Sequence, residues 1–283
     1  MVYNSFKDLE GKVCTITGGA GVIGSALVRG MASVGVKTAI LDRDKEMADK
    51  MASEIQKEFN VETIGVEADV LKKELLIKAR EEVHSKLGKI DLLINGAGGN
   101  SPQATTQVEQ MTKEDLNNLD STFYGLHIEG FQKVFDLNFM GTLLPSMVLT
   151  QDMVEKGEGV VLNISSMNAY KPLTKIPAYS AAKSAINNFT EWLSVHLAKV
   201  GIRVNAIAPG FFLTNQNRFL LVDEKSGNPT PRGEKIITNT PMGRYGEPEH
   251  LQGTALYLLS NLSNFVTGIV IPVDGGYSAF GGV

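Results

Sequence analysis

Cysteine and histidine are scarce in this 283-residue chain. Cys14 is the only cysteine, so no disulfide can form within the chain. The four histidines, His84, His127, His196 and His250, are scattered and share no spacing typical of metal ligands. The composition therefore argues against a disulfide-linked scaffold and against a metal centre. It fits a reducing compartment, by default the cytoplasm.

Long apolar runs and basic clusters are also missing. No stretch approaches the roughly 20 apolar residues that cross a bilayer, and the first residues, Met-Val-Tyr-Asn-Ser-Phe-Lys-Asp, lack the apolar core of a signal peptide. The 27 lysines and arginines are outnumbered by 31 aspartates and glutamates, which gives a formal net charge of −4. Because a nucleic-acid surface needs clustered cations, the sequence predicts neither a membrane protein nor a nucleic-acid-binding one.

Two hydrophobic periods alternate along the chain. Short runs rich in β-branched residues, typical of buried parallel strands, alternate with longer segments of helical spacing. The predicted strands are 13–17, 36–41, 62–68, 90–95, 159–165, 202–208 and 269–273. The predicted helices are 23–33, 45–59, 72–87, 131–156, 178–200 and 248–260. This order predicts an α/β fold in which residues 1–283 form a single doubly wound Rossmann domain, with a seven-stranded parallel sheet flanked by helices.

Two long irregular segments interrupt this alternation. Residues 98–130 form an extended insertion between the fourth strand and the fourth helix, and residues 211–246 follow the sixth strand. Long irregular segments in a compact domain are often functional. Both follow strand carboxyl ends, where open α/β sheets bind ligands. We therefore expect them to form the walls and the lid of a substrate pocket.

A glycine-rich motif follows the first predicted strand. Residues 17–24 read Thr-Gly-Gly-Ala-Gly-Val-Ile-Gly and lead into the first predicted helix. The glycines allow a tight turn and a close approach of phosphate, and the N–H groups of a helix N-terminus attract anions. The position predicts a dinucleotide-binding loop. We assign to it Gly18, Gly21, Val22 and Ile23.

Asp42 ends the second predicted strand, 24 residues after Gly18. A carboxylate there can accept hydrogen bonds from the ribose hydroxyls of the adenosine half and repels a 2′-phosphate, so the sequence favours NAD over NADP. Two alternatives stay open. Arg43 could hold a 2′-phosphate, and Asp42 could instead cap the next helix, a role for which Asp44 competes.

Small turns follow the third and fourth predicted strands. Asp69 and Val70 suit contact with the adenine ring, and Asn95, Gly96 and Ala97 provide a small-residue floor for a cofactor. Each would be an ordinary turn alone. Because the carboxyl ends of parallel strands meet at one edge of the sheet, their order predicts one continuous cofactor surface.

Tyr179 and Lys183 are the predicted centre of the chemistry. Four residues apart on a predicted helix, they project from one face. Reduction of a carbonyl needs a proton donor, and a phenol beside an ammonium is expected to have its pKa lowered toward neutrality. Ser166 at a strand end can hydrogen-bond the same oxygen, and Asn138 could orient a water beside Lys183. Each alone would be a cap or a surface residue, but together they predict a catalytic group.

This combination resembles the short-chain dehydrogenases/reductases over essentially the whole chain. The matching segments are 17–24, 95–98, 205–210, 241–248 and 272–276, with Asn138, Ser166 and Tyr179-x-x-x-Lys183. The resemblance implies that these last four residues are the catalytic tetrad, with Tyr179 and Lys183 also at the cofactor and Lys183 holding the nicotinamide ribose.

The same resemblance extends to the second half of the cofactor site and to assembly. It implies that Pro209, Gly210 and Thr214 lie at the nicotinamide and that Arg244 is structural. It also implies a homotetramer, with the predicted helices 131–156 and 178–200 as interface elements.

The sequence departs from the family pattern at two places, of which the second points to a narrower branch. Val22 stands where the family usually has its middle glycine, and the segment between Asn95 and Asn138 is longer than usual. That insertion and the segments 165–170 and 208–215 resemble the D-mannonate oxidoreductases, also called fructuronate reductases. The resemblance implies interconversion of D-fructuronate and D-mannonate with NAD(H).

A sugar acid would need a cationic or N–H-rich site for its carboxylate and polar partners for its hydroxyls. The candidates near the predicted pocket are Asn100, Asn168, Lys171, Lys175, Gln216 and Arg218. Arg218 can form a bidentate pair with a carboxylate. We expect the carboxylate to bind Arg218 or a lysine of the loop before Tyr179.

Two other functions stay open at this point. Another NAD(P)-dependent sugar, polyol or ketone dehydrogenase, such as a gluconate dehydrogenase, would use the same residues. A non-catalytic dinucleotide-sensing protein would not need Tyr179 or Lys183, and the presence of both disfavours it.

Overall fold

All seven predicted strands form, and they join one parallel sheet. The computed structural model describes residues 6–214, 218–224 and 226–282. The strands are β1 Val13–Thr17, β2 Lys37–Asp42, β3 Thr63–Glu67, β4 Leu92–Asn95, β5 Gly159–Ile164, β6 Ile202–Pro209 and β7 Val270–Val273. Their order across the sheet is β3-β2-β1-β4-β5-β6-β7, with every neighbouring pair parallel. From β1 the chain crosses to β2 and β3 on one side, and it then returns to β4 on the other side of β1. Open α/β sheets bind ligands at such a switch point, at the carboxyl ends of the two strands.

The central strands of the sheet are buried on both faces, as the continuous apolar runs predict, whereas the edge strand β7 is only partly buried. Every residue of β1 and β5 is buried. Successive side chains of a strand point to opposite faces, so Leu92 and Ile94 pack into one hydrophobic cluster and Leu93 into the other. This arrangement confirms the doubly wound α/β architecture.

Ten α-helices are found in the described ranges. They are α1 Val22–Ala32, α2 Lys45–Phe59, α3 Lys73–Lys86, α4 Ile128–Phe135, α5 Gly141–Leu149, α6 Gln151–Lys156, α7 Pro177–Leu197, α8 Arg218–Leu221, α9 Pro231–Thr238 and α10 Gln252–Leu259. No helix among the described residues combines the length and apolar character needed to cross a membrane.

The prediction of one helix over residues 131–156 is wrong. The segment consists of α4, α5 and α6, and a π-helical turn, Asp136–Met140, separates the first two. Asn138 lies in that turn, and its side chain is hydrogen-bonded to the backbone of Gly99 and Val134. A π turn inserts one residue and redirects a side chain, which is why such turns occur at functional sites.

The segment 211–246 is less irregular than predicted. It contains α8 and α9, and α9 begins with Thr230 as its cap and Pro231 in its first turn. The Thr230 hydroxyl accepts the Gly233 N–H at 3.1 Å. A capping threonine followed by proline is a helix-start signal that the sequence did contain.

The insertion and the lid segment contact each other. The insertion, residues 98–130, folds into short 3-10 turns. Lys235 of α9 donates to both carboxylate oxygens of Glu109 in the insertion at 3.1 Å. The two segments that the sequence marks as pocket walls are therefore joined by an ion pair.

Candidate active site

The glycine-rich loop after β1 leaves no room for side chains. Gly18 has a φ of +62°, and a Cβ there would lie 2.9 Å from the Cα of Ala97. A Cβ on Gly24 would lie 2.2 Å from the carbonyl oxygen of Gly18. No side chain caps the N-terminus of α1, which begins after Gly21. Bare backbone N–H groups at a helix N-terminus fit a pyrophosphate, so this loop suits the predicted dinucleotide.

Thr17 ties this loop to the turn after β4. Its hydroxyl accepts the N–H groups of Gly96 and Ala97 at 3.1 and 3.3 Å. The sequence analysis did not single out Thr17. The signal that could have identified it is a hydroxyl side chain at the last position of a predicted strand. The two turns thus form one surface at the switch between β1 and β4.

The side chain of Asn95 does not face that surface. It donates to the hydroxyl of Ser146 at 3.0 Å and to Asn163 Oδ1 at 2.8 Å, within the core. The Asn95 side chain lies in the core, where its Oδ1 has no partner among the described residues, so the predicted cofactor contact falls to its main chain.

Asp42 lies beside the glycine-rich loop. Its carboxylate accepts the N–H of Ala20 at 3.3 Å and that of Asp44 at 3.2 Å. The alternative that Asp42 caps the next helix is wrong, since the carboxylate of Asp44 caps α2 by accepting the Met47 N–H at 2.9 Å. Arg43 is exposed. The predicted contact of Asp42 with a ribose remains a prediction, and the position of its carboxylate beside the glycine-rich loop is compatible with it.

The turn after β3 presents the carboxylate and the backbone that its predicted contact with adenine would use. Asp69 accepts the N–H of Leu71 at 3.0 Å and stays partly exposed. The Val70 side chain is buried against Gly141. The predicted contact of Val70 with adenine is therefore left to its backbone.

Ser166, Tyr179 and Lys183 come together at the ends of β5 and α7. Ser166 accepts the Asn168 N–H at 3.2 Å, and its side chain is close enough to the Tyr179 hydroxyl to lower the pKa of that group. Lys183 is buried, and its Nζ donates to the carbonyl of Ile164 at 2.8 Å. That Nζ lies 5.5 Å from the centre of the Tyr179 ring. The predicted common face of the tyrosine and the lysine is present.

The pKa values of this pair differ from the expectation. Burial raises the pKa of Tyr179, and its hydrogen bond with Ser166 acts in the opposite direction with a smaller effect. Burial lowers the pKa of Lys183 to about 7. The expected ammonium-driven lowering of the phenol pKa is wrong for this geometry, because desolvation outweighs it and Nζ is directed to a carbonyl.

Asn138 fixes the loop that faces Lys183. Its Nδ2 donates to the carbonyls of Gly99 at 2.7 Å and Val134 at 2.8 Å, and its Oδ1 accepts the Gly99 N–H at 3.3 Å. A Cβ on Gly98 would lie 2.6 Å from Asn138 Oδ1 and 3.3 Å from Lys183 Nζ. These three residues thus share one small space, and the water predicted beside Lys183 remains a prediction.

The turn after β6 is equally tight. Gly210 donates its N–H to Val273 at 3.0 Å, and a Cβ there would lie 2.6 Å from Asp274 Cα. Pro209 precedes it as the last residue of β6. The carbonyl of Thr214 accepts the N–H of Arg218 at 2.9 Å, which places both at the start of the lid segment. The residues predicted to contact the nicotinamide therefore lie directly after the carboxyl end of β6.

The lysines predicted to bind a carboxylate hold neighbouring segments together. Lys175 Nζ donates to the carbonyl of Gln107 in the insertion at 2.6 Å. Lys171 Nζ donates to the carbonyl of Phe280 at 2.7 Å. Asn100 donates to the Thr105 hydroxyl at 3.0 Å. These side chains therefore have at least one structural partner each.

The other candidates divide between surface and core. Arg218 is exposed at the start of α8, whereas Asn168 is buried. Arg244 is exposed and donates to the carbonyl of Tyr245 at 3.3 Å, which fits a structural role. Gln216 lies outside the described residues. No group of His, Cys, Asp or Glu side chains within the described part of the chain is arranged to hold a metal ion.

The C-terminal segment forms a further wall that sequence reasoning missed. Tyr277 packs edge-on against Phe211 with ring centres 5.1 Å apart. Lys171 Nζ lies 5.4 Å from the centre of the same tyrosine ring. The only sequence signal for this contact is the aromatic residue that follows two glycines near the C-terminus. The tail connects the loop after Ser166 to the turn after β6.

Comparisons with known proteins agree with this geometry. The family model described as short chain dehydrogenase matches residues 12–225. An uncharacterized oxidoreductase of Bacillus subtilis, UxuB, is 48% identical over 278 residues, which cover 98% of each chain.

A solved structure is similar over nearly the whole chain. The crystal structure of a candidate D-mannonate oxidoreductase from Haemophilus influenzae, with bound NAD, has a TM-score of 0.92 and 49% identity, and covers 99% of this chain and 100% of that one. The 5-keto-D-gluconate 5-reductase of Escherichia coli is 31% identical, covering 96% of this chain and 98% of that protein.

Proposed function

This chain belongs to the short chain dehydrogenase family, and from that premise we propose that it transfers a hydride between NAD(H) and a sugar acid, interconverting D-fructuronate and D-mannonate. The grouping of Ser166, Tyr179 and the buried Lys183 carries the oxidoreductase assignment, with Lys183 Nζ 5.5 Å from the centre of the Tyr179 ring. Likeness to the candidate D-mannonate oxidoreductase over 99% of the chain supports the substrate.

The cofactor half of the proposal rests on the bare loop after β1 and on Asp42. NADH supplies the hydride to the carbonyl carbon in reduction, and NAD⁺ accepts it in oxidation. The glycine-rich loop would hold the pyrophosphate through its N–H groups. Asp42 would accept hydrogen bonds from ribose hydroxyls, which favours NAD over NADP. The bound NAD of the Haemophilus influenzae protein supports this choice.

Tyr179 transfers the proton to and from the substrate oxygen. Ser166 and Tyr179 donate hydrogen bonds to the substrate oxygen, and in reduction the Tyr179 hydroxyl transfers its proton to that oxygen. In oxidation the phenolate takes the proton back. Because burial raises the pKa of Tyr179, the phenol is protonated at neutral pH and ready to act as an acid. Lys183, with a pKa of about 7, can return a proton to it.

The substrate pocket lies between the insertion, the lid segment and the loop before α7. We propose that Arg218 or Lys175 binds the carboxylate, and that Asn100 lines the same pocket. Exposure of Arg218 and the position of Lys175 between Ser166 and Tyr179 support this choice. If Arg218→Ala and Lys175→Ala both leave the KM for every uronate unchanged, the acid-substrate assignment is wrong.

A substrate panel tests the proposal directly. Purified enzyme is assayed with D-fructuronate, 5-ketogluconate, neutral ketoses and simple ketones, each with NADH and with NADPH. We expect the highest kcat/KM for D-fructuronate with NADH. A higher value for 5-ketogluconate would favour the second candidate, a gluconate dehydrogenase, which the Escherichia coli reductase supports. Binding of NADH without turnover of any carbonyl would favour a dinucleotide sensor.

We further propose that the protein is a homotetramer that acts in the cytoplasm. Exposed apolar side chains support the assembly, namely Trp192 and Val195 of α7, 57% and 78% exposed, and the fully exposed Phe265. Exposed apolar patches of this kind are typical of interfaces. Val195→Glu and Phe265→Glu should each reduce the mass by light scattering below that of a tetramer. The cytoplasmic NAD pool and the free thiol of Cys14 fit that compartment, and cell fractionation tests it.

A further inference from the structure

One buried polar group next to the catalytic residues has no partner. Asn168 is only 4% exposed, and no described residue hydrogen-bonds its Oδ1. Folded proteins pair nearly all buried polar atoms, because an unpaired one loses its hydrogen bonds to water without replacement. An unpaired buried acceptor beside a reaction centre therefore indicates a partner that arrives with a ligand.

Asn168 lies within reach of the reacting oxygen. Its N–H is 3.2 Å from Ser166 Oγ, and the Ser166 side chain is close enough to the Tyr179 hydroxyl to act on its pKa. Since N–Cα is about 1.5 Å, its Cα lies within about 5 Å of Ser166 Oγ. A substrate oxygen held by Ser166 sits roughly 2.7 Å from that hydroxyl. The Asn168 side chain can therefore reach a hydroxyl on a carbon beside the carbonyl.

We propose that Asn168 Oδ1 accepts a hydrogen bond from a substrate hydroxyl on a carbon adjacent to the reacting one, so that the enzyme selects α-hydroxy ketones and the corresponding diols. The inference rests on the proposed hydride transfer at Tyr179 but not on D-fructuronate in particular. It names the substrate class by one required group, a hydroxyl next to the carbonyl, which simple ketones lack.

A structural role for the same carboxamide is the alternative. The Ser180 hydroxyl is also buried without a partner, and α7 packs on the turn Met167–Ala169, where Ser184 donates to the Ala169 carbonyl at 3.2 Å. A water shared by Asn168 and Ser180 would satisfy both groups and leave substrate choice unaffected. Ser180 therefore supplies a matched control, equally buried and equally unpaired.

The experiment compares Asn168→Leu with Ser180→Ala in the full chain. Leucine keeps the size of asparagine and removes its hydrogen-bonding atoms. Each enzyme is assayed with NADH on D-fructuronate and on two deoxy analogues, each lacking the hydroxyl on one carbon that flanks the ketone. NADH affinity and the melting temperature are measured alongside.

Three results are expected together. Asn168→Leu lowers kcat/KM for the hydroxylated substrate by about 10- to 100-fold, and by less than about 3-fold for one of the two deoxy analogues. Its melting temperature is unchanged or higher, because an unpaired buried polar group has been replaced by an apolar one of the same shape. Ser180→Ala leaves the ratio between the substrates unchanged.

Two results would overturn the inference. One is equal loss of activity of Asn168→Leu on all three substrates with a lowered melting temperature, the pattern of a structural amide. The other needs no variant, namely that the wild-type enzyme reduces both deoxy analogues as efficiently as the hydroxylated ketone. If D-fructuronate is not a substrate, the same comparison is made on the best hydroxy ketone of the panel, so that the two proposals fail separately.

Discussion

Gly98 is the position at which one added methyl group would disturb two catalytic side chains at once. A Cβ at Gly98 would lie 2.6 Å from Asn138 Oδ1 and 3.3 Å from Lys183 Nζ. Ordinary contact begins at 3.4 Å, so Asn138 Oδ1 would have to retreat by roughly 0.8 Å. It is held in place by hydrogen bonds of 2.7 and 2.8 Å from its own amide to two carbonyls. Gly98→Ala should therefore break at least one of them.

The size of the effect follows from that displacement. A buried hydrogen bond broken on one side costs about 1–3 kcal/mol, which corresponds to a fall in melting temperature of roughly 2–10 °C. Misplacement of catalytic groups by about 1 Å lowers rates on the order of 100-fold. We expect Gly98→Ala to lower kcat by about 10- to 100-fold, with NADH affinity changed by less than about 3-fold because Asp42 and the loop after β1 are untouched.

Gly99→Ala is the matched control. A Cβ at this next position would meet only Leu137 Cδ2, at 3.7 Å, an ordinary van der Waals distance. Steady-state kinetics, NADH fluorescence titration and thermal melts of both variants decide the matter. If Gly98→Ala behaves like Gly99→Ala in all three, the tight packing of Asn138 and Lys183 against Gly98 is not what positions the catalytic group.

Three further predictions follow from single side chains. Lys183→Met should raise the melting temperature most near pH 6 and least near pH 10. The reason is that burial lowers the pKa of Lys183 from 10.5 to about 7. The folded wild type therefore carries a buried charge below pH about 7, and it gains stability between pH about 7 and 10.5, where only the unfolded chain keeps the proton. A stabilisation by Lys183→Met that grows with pH would contradict this explanation. Asp42→Ser should shift the ratio of kcat/KM values toward NADPH by about 10- to 100-fold, and an unchanged ratio would remove Asp42 from the ribose site. Glu109→Gln breaks an exposed ion pair with Lys235, so it should change the melting temperature by less than about 1 °C. It should raise the substrate KM about 2- to 5-fold, because the lid segment loses its ion pair with the insertion. An unchanged KM would mean that the pair does not hold the lid segment.

The sheet and the cofactor loop were predictable because local patterns determine them. Strands buried on both faces need continuous β-branched runs, and all seven such runs became strands. The loop after β1 depends on glycine, and the contacts of Gly18 and Gly24 show that no other residue fits. The tyrosine and lysine of α7 were predictable for a similar reason, since helical spacing alone puts residues four apart on one face.

Features that depend on contacts between distant segments were not predictable. The π turn around Asn138 forms where its carboxamide binds Gly99, 39 positions earlier in the chain. Periodicity within residues 131–156 carries no trace of that contact. Lys171 likewise bonds Phe280, 109 positions away, so a lysine that suited a substrate carboxylate in sequence is part of a wall instead.

The prediction of a lowered pKa for Tyr179 failed for a different reason. Sequence spacing identifies the neighbouring cation but does not report how deeply either group is buried. Desolvation raises the pKa of Tyr179 and lowers that of Lys183, and it is the largest effect on both. The sign of the shift therefore depends on tertiary packing, and burial keeps Tyr179 in the phenol form that donates a proton to a ketone at neutral pH.

Single-turnover kinetics of Tyr179→Phe test the proton-transfer assignment most directly. Phenylalanine keeps the ring, so packing and NADH binding should be retained, with a dissociation constant within about 3-fold of the wild-type value. Loss of the general acid should slow oxidation of bound NADH by the substrate at least about 100-fold. A Tyr179→Phe enzyme that binds NADH normally and oxidises it at the wild-type rate would contradict the account.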